Sequence, residues 1–183
     1  MVELTTERLR LRPWRDDDVD ALTVIDGDPK VMRYIGDGSV RTRQQTEAAI
    51  ERMRRGWQDN GFGIFAIETR DTATMIGWTG LAIPKFLPEV LPAVEVGWRL
   101  NRRYWGQGFA TEAARRVLRF GFDDARLDRI VSICHVDNHA SVKVMTKLGM
   151  RRDRVTTVPS VNVQAYVYAL TRAEFAASSA PME

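Results

Sequence analysis

Residues Val94 to Gly121 read VEVGWRLNRRYWGQGFATEAARRVLRFG, and a change of period inside this stretch governs how the rest of the chain is read. Val94, Val96 and Trp98 alternate with Glu95, Gly97 and Arg99, the period-two pattern of a strand packed on one face. After Gly108 the spacing becomes helical, with Ala110, Ala113, Ala114, Val117, Leu118 and Gly121 on one side and Arg115, Arg116 and Arg119 on the other. The loop from Asn101 to Gln107 therefore runs into a helix N-terminus, where the first backbone N–H groups lack intrahelical partners and the macrodipole is positive. Gly106 and Gly108 leave room for a phosphate against the backbone, and Arg99, Arg102 and Arg103 add positive charge nearby. The spacing is neither G-x-G-x-x-G nor G-x-x-x-x-G-K-[ST], so it indicates an anion site without a dinucleotide fold or a P-loop. A strand-to-helix turn that uses its glycines only for geometry has the same local pattern.

Outward from this stretch, 183 residues without a linker-like tract predict one domain over residues 1–175, with residues 176–183 as a disordered tail. The formal net charge is +3 and the arginines are spread along the chain, so nucleic acid is permitted rather than demanded, and a polyanionic cofactor suits the charge equally. The start lacks an apolar core of signal-peptide length and no stretch approaches about 18 consecutive apolar residues, so a cytoplasmic protein with no membrane partner is expected. One cysteine, Cys134, leaves no internal disulfide framework and no cysteine-based zinc cluster. Its strand-like surroundings predict a buried, inert thiol.

Before the central stretch, Leu9 and Leu11 alternate with arginines in a strand ended by Pro13, and Asp16 to Asp18 cap a helix reaching about Ile25. A short helical turn follows over Pro29 to Tyr34, then a helix over about 42–58 broken at Asn60-Gly61. Two strands, Gly63 to Glu68 and Met75 to Ala82, form a hairpin through Arg70-Asp71-Thr72. Ile83 to Pro92, with three prolines, is a loop, apolar enough to cover a cleft or make a subunit contact. After the central helix come a strand over 127–133, a helix begun at Asn138 and stopped at Gly149, and strands over 151–157 and 161–170. Mixed strands with helices inserted on both sides define an α/β class.

Arg103-Tyr104-Trp105-Gly106-Gln107-Gly108-Phe109-Ala110-Thr111-Glu112-Ala113 resembles the acetyl-CoA loop of the GNAT superfamily of N-acetyltransferases, in its Rim-type branch of ribosomal-protein and related enzymes. Two registers fit the pattern [Q/R]-x-x-G-x-[G/A]: Arg103, Gly106 and Gly108, or Trp105, Gly108 and Ala110. The second puts the last small residue inside the helix. Thr6 to Pro13 resembles the opening of Rim-type chains, and Asn138 to Met150 matches N-x-x-(A/S)-x-x-x-x-x-K-x-G-(F/M). The resemblance spans nearly the whole chain. It implies a GNAT-type, mostly antiparallel sheet flanked by helices and splayed between its two central strands.

The resemblance also implies roles. Backbone groups around Trp98, Arg99 and Leu100 would hydrogen-bond pantetheine, the loop Arg103 to Ala110 with Trp105, Gly106, Gln107 and Gly108 would hold the pyrophosphate, and Asn138 would meet the pantetheine amides. Glu95, a carboxylate in an otherwise apolar strand, becomes a useful base if burial raises its pKa, or else it faces water. Met145 stands where many members carry a tyrosine general acid, and methionine donates no proton; Ser141 is the position that Rim-type chains offer instead, its hydroxyl able to hydrogen-bond the departing sulfur. Asn138 and Ser141 also read simply as a helix cap and a first-turn residue. His135 and His139 lack a third ligand at metal-binding spacing, which predicts a surface or loop role and no metal. The activity implied is acetyl transfer from acetyl-CoA to an amine, either a protein N-terminus or a small molecule, with a homodimer allowed. A non-catalytic acyl-CoA-binding module and a nucleic-acid-binding protein are the rivals.

Overall fold

The computed structural model describes residues 2–179. Its strands are β1 (Leu4–Thr5), β2 (Leu9–Arg12), β3 (Ile64–Thr69), β4 (Met75–Ala82), β5 (Val94–Leu100), β6 (Arg129–His135), β7 (Arg151–Val158) and β8 (Val163–Thr171). The helices are α1 (Asp18–Asp26), α2 (Pro29–Met32), α3 (Arg43–Asn60), α4 (Phe109–Asp123), α5 (His139–Lys147) and α6 (Arg172–Ser179). The strands form one sheet ordered β1-β2-β3-β4-β5-β6-β8-β7. Every neighbouring pair is antiparallel except β5 with β6, which is parallel and paired only at Val94↔Ile130 and Glu95↔Val131.

That short parallel contact sets the shape of the molecule. Beyond Glu95, β5 keeps its antiparallel partner β4 as far as Leu100, and β6 keeps β8 as far as His135, but the two no longer meet each other. The splay expected between the central strands is therefore present. The sheet's two faces are covered differently. On one, α4 and α5 pack a continuous cluster that includes Val94, Val96, Leu100, Ala113, Ala114, Val117, Ile130, Cys134, Met145 and Leu148. On the other, a cluster around Trp14, Leu22, Ile25 and Ile50 covers β3 and β4, and a separate one of Leu87, Val90, Val131 and Val167 lies under the 83–92 loop. Burying each such Leu, Val or Phe contributes about 1.5–3 kcal/mol.

Local sequence explains most boundaries. Thr42 and Gln45 form a reciprocal capping box at the start of α3, and Gly61 in the left-handed region ends it. The aspartates before α1 act differently from the expected cap. Asp17 occupies the cap position without a side-chain bond, while Asp18 is buried and takes two hydrogen bonds from the Arg12 guanidinium, at 2.7 and 2.8 Å. Arg12 also donates to Glu68 at 2.7 Å. Burial opposes its charge, yet these bonds hold the Arg12 pKa above its ordinary value, tying α1 to β2 and β3 as a structural group. Two elements had no sequence signal, the two-residue β1 and α6, whose helix covers residues 176–179 of the stretch expected as a tail. Residues 180–183 lie outside the described residues.

Candidate functional site at the splay of β5 and β6

Register decides which groups face the gap. The Asn101 amide donates to the Ile76 carbonyl on β4 at 2.8 Å, so by strand parity the N–H and C=O groups of Trp98 and Leu100 point away from β4, towards the opening. The Trp98 groups have no partner there among the described residues. The Leu100 carbonyl does: the Trp105 indole folds back and donates to it at 3.0 Å. The strand backbone thus presents Trp98 to the gap and closes itself off at Leu100.

Glu95 lies at the vertex, on the face where the two smaller clusters leave an interval between them. Although its side chain keeps some exposure towards that interval, the surrounding atoms desolvate it and push its pKa up to about 8, opposed only by the Ile133 amide that donates to it from β6. Two residues on, the ring of Trp78 lies over Gly97, where an added Cβ would stand 3.4 Å from it. Cys134, on the opposite face, is buried, and burial together with the Glu95 charge pushes its thiol up to about 12, so it is the inert thiol expected.

The loop after β5 leaves a run of backbone amides without partners among the described residues. Gly106 and Gly108 adopt φ of +74° and +84°, conformations that glycine takes without the Cβ strain other residues would carry. The first helical bond of α4 runs from Glu112 to the Gly108 carbonyl, and the amides of Gly106, Gln107, Gly108, Phe109, Ala110 and Thr111 have no hydrogen-bond partner among the described residues. The small residues of both sequence registers, Gly106, Gly108 and Ala110, fall within this run, while Arg103 and Trp105 lie before it. Arg103 and Gln107 brace the turn, the Gln107 amide group donating to the Arg103 carbonyl at 2.8 Å.

The charge around the loop differs from expectation. The Arg99 side chain is buried on the far face of β5 and donates to Asp26, which also accepts from Arg41, so it adds nothing to the loop. Its Nε, like the buried Nε1 of Trp78 beside it, has no partner among the described residues. Arg102 is taken by Asp28 at 2.9 Å. Arg8, its charge paired with Glu112 at 2.6 Å, reaches the loop as well: it donates to the Gln107 carbonyl at 3.0 Å and stacks on Phe109 at 4.3 Å. Burial would raise the Glu112 pKa, but hydrogen bonds from Thr6 and Arg8 bring it below the usual value. Nothing in the sequence marked a contact between residues 104 apart.

Across the gap, Asn138 caps α5, its Oδ1 accepting from the Ser141 amide at 3.1 Å, as the plainer reading had it. The half-buried Ser141 hydroxyl has no protein partner among the described residues. Met145 is buried in the core against Leu148 and Met150, away from any role in proton transfer. Glu95 therefore lies on the sheet face away from α5, the helix that carries Ser141. The described residues contain no group of three or more His, Cys, Asp or Glu able to hold a metal. No helix among them is long and apolar enough to cross a membrane.

The family model for the acetyltransferase (GNAT) domain matches residues 8–151. The chain belongs to the GNAT acetyltransferase family. The N-acetyltransferase YnaD of Bacillus subtilis is 34% identical over 152 residues, covering 83% of this chain and 84% of the relative. A GNAT-family acetyltransferase from Bacillus anthracis superimposes with a TM-score of 0.79 at 27% identity, over 94% of this chain and 99% of the other. RimL, a ribosomal L7/L12 alpha-N-protein acetyltransferase solved with coenzyme A, shares the fold with a TM-score of 0.76 at 17% identity, over 93% and 98% of the two chains. This GNAT protein is accordingly an N-acetyltransferase that uses acetyl-CoA, and the run of unpaired amides at its α4 terminus fits a pyrophosphate.

Proposed function

We propose that this GNAT enzyme, as a member of the Rim-type branch, transfers acetyl directly to a primary amine, with Glu95 as the general base and Ser141 as the group that meets the leaving thiolate. The acceptor class is a protein N-terminus or a small-molecule amine. The observation that carries the reading is the desolvated Glu95 carboxyl at the vertex of the splay, with a pKa of about 8. A base near the operating pH can take a proton from an ammonium and leave a neutral nucleophile. The Rim-type likeness of 103–113 and 138–150 supports the same assignment.

Acetyl-CoA, when bound, supplies the acetyl group as a thioester. The amides of Gly106 to Thr111 would hold its pyrophosphate, with Arg8 behind them, and Trp98 backbone groups would orient the pantetheine arm. Glu95 would receive the amine's proton on one face, and Ser141, carried by α5 on the other, would stabilise the thiolate. No covalent acyl-enzyme is invoked, since the only thiol is buried with its pKa raised.

Steady-state kinetics test this with an acceptor at saturation and release of free CoA as the readout. Turnover of the parent should rise with pH through about 8. Glu95→Gln should lower kcat by roughly ten- to a thousandfold and flatten that rise while acetyl-CoA affinity is kept, and Ser141→Ala should lower kcat within a similar range. Parental turnover and an unchanged pH profile in both variants would make the two residues structural and leave catalysis to proximity.

A further inference from the structure

The residue at the open end of β6 was expected to have only a surface or loop role, but its setting is more constrained than that. His135 shares a sheet face with Val131 and Ile133, and hence with Glu95, which pairs with Val131 and receives the Ile133 amide. It lies past the end of the β5–β6 pairing, where the strands have separated. Its side chain is 25% exposed, and the Tyr34 ring, brought in by the segment after α2, packs on it with centroids 5.3 Å apart. The imidazole is also oriented. Its Nδ1 accepts the Asp137 amide at 3.1 Å, which leaves the neutral ring's proton on Nε2. No protein group among the described residues accepts from that Nε2. A carboxylate acceptor on β5 and an N–H donor on β6 thus share the same face of the sheet at the amine-side interval.

We infer that His135 is a specificity-determining residue of this transferase, donating from Nε2 to a carbonyl oxygen on the carbon next to the acceptor amine. The inference rests on the proposed role of Glu95 as the amine's partner. The spacing supports it. Glu95 reaches the level of Ile133, and His135 is two residues further along the strand, about 6.6 Å. In an α-amino carbonyl unit the nitrogen and oxygen are about 3 Å apart, and a hydrogen bond of about 3 Å at each end extends the bridge to at most about 9 Å, so a bent bridge spans the interval. A simple alkylamine satisfies Glu95 and leaves the His135 donor unpaired. Tyr34 fixes the ring plane, which makes it a positioning residue for the same contact.

The test uses the full chain and a matched pair of acceptors, a short peptide with a free N-terminus and an alkylamine carrying the same side chain but no carbonyl. The quantity read is the ratio of their kcat/KM values. The parent should favour the peptide. His135→Phe keeps the ring against Tyr34 and removes the donor, and it should cut the ratio about tenfold, with the loss carried by the peptide's KM, the size expected for one neutral hydrogen bond and a carbonyl left unpaired. His135→Gln, whose amide nitrogen sits near the Nε2 position, should restore most of it. A parent with no preference, or a His135→Phe enzyme that loses both acceptors equally, would overturn the assignment. Such a result leaves Glu95 standing, because its role is read separately from kcat and the pH profile of Glu95→Gln.

Discussion

At Glu95 the desolvation that suits a base also opposes folding. The carboxyl holds its proton up to about 8 in the folded chain, against an ordinary 4.5 when unfolded. The stability contributed by the neutral form is therefore complete below about 4.5 and is lost as the pH rises through about 8. Glu95→Gln carries no such loss, so its Tm relative to the parent should climb between about pH 5 and pH 9. Thermal scans of both proteins at the two ends measure this, and a pH-independent difference would mean that the carboxylate is hydrated in the folded state. Sequence alone located Glu95 as a polar residue in an apolar strand but could not say whether it faced water, because the answer depends on where β6 departs from β5. Arg99, two pleats on, shows the same limit: alternation fixed its face, yet Asp26, which neutralises it there, is 73 residues away in the chain.

Among the elements, the junction of β5, the glycine loop and α4 was the most legible, because the period changes from two to 3.6 within a few residues and no tertiary contact is needed to see it. Its function depends on backbone geometry, so the informative variants are at Gly108. An added Cβ there meets only the Arg8 Nη2, at 3.4 Å, a flexible tip, but the φ of +84° strains any L-residue. Gly108→Ala should therefore cost about 1 kcal/mol of stability and keep acetyl-CoA binding, while Gly108→Glu should weaken binding by more than tenfold by setting a like charge against the pyrophosphate. Calorimetry on the two variants separates strain from charge, and equal affinities would displace the pyrophosphate site from this loop. The elements that escaped the sequence did so for physical reasons. β1 is two residues long and exists through its pairing with β2, and α6 follows β8 without a break in which a stop signal could be seen. The Arg12–Asp18–Glu68 group looked like a run of capping aspartates because its arginine and glutamate arrive from other strands.

For the molecule as a whole, Asp26 is the joint between the α1–α2 segment and the sheet. It is fully buried, accepts from both Arg99 and Arg41, and its carbonyl takes the Arg41 amide at 3.0 Å. Burial lowers the Arg99 pKa and Asp26 only partly offsets this, so removing the carboxylate strands a buried cation. Asp26→Asn should destabilise the fold by about 3–5 kcal/mol, and adding Arg99→Met should recover much of the loss. Urea titrations with unchanged m-values measure both, and additive losses in the double variant would show that the two side chains are not coupled.

Because Glu95 lies on the sheet face away from α5, the helix that carries Ser141, a single molecule that joined coenzyme A covalently to an amine would be threaded through the sheet like a bolt through a plate. Its slender middle would occupy the gap while a bulky head sat on either side. Such a compound could leave by sliding out along the open end of the splay, past Leu100 and His135, without either head passing through the sheet.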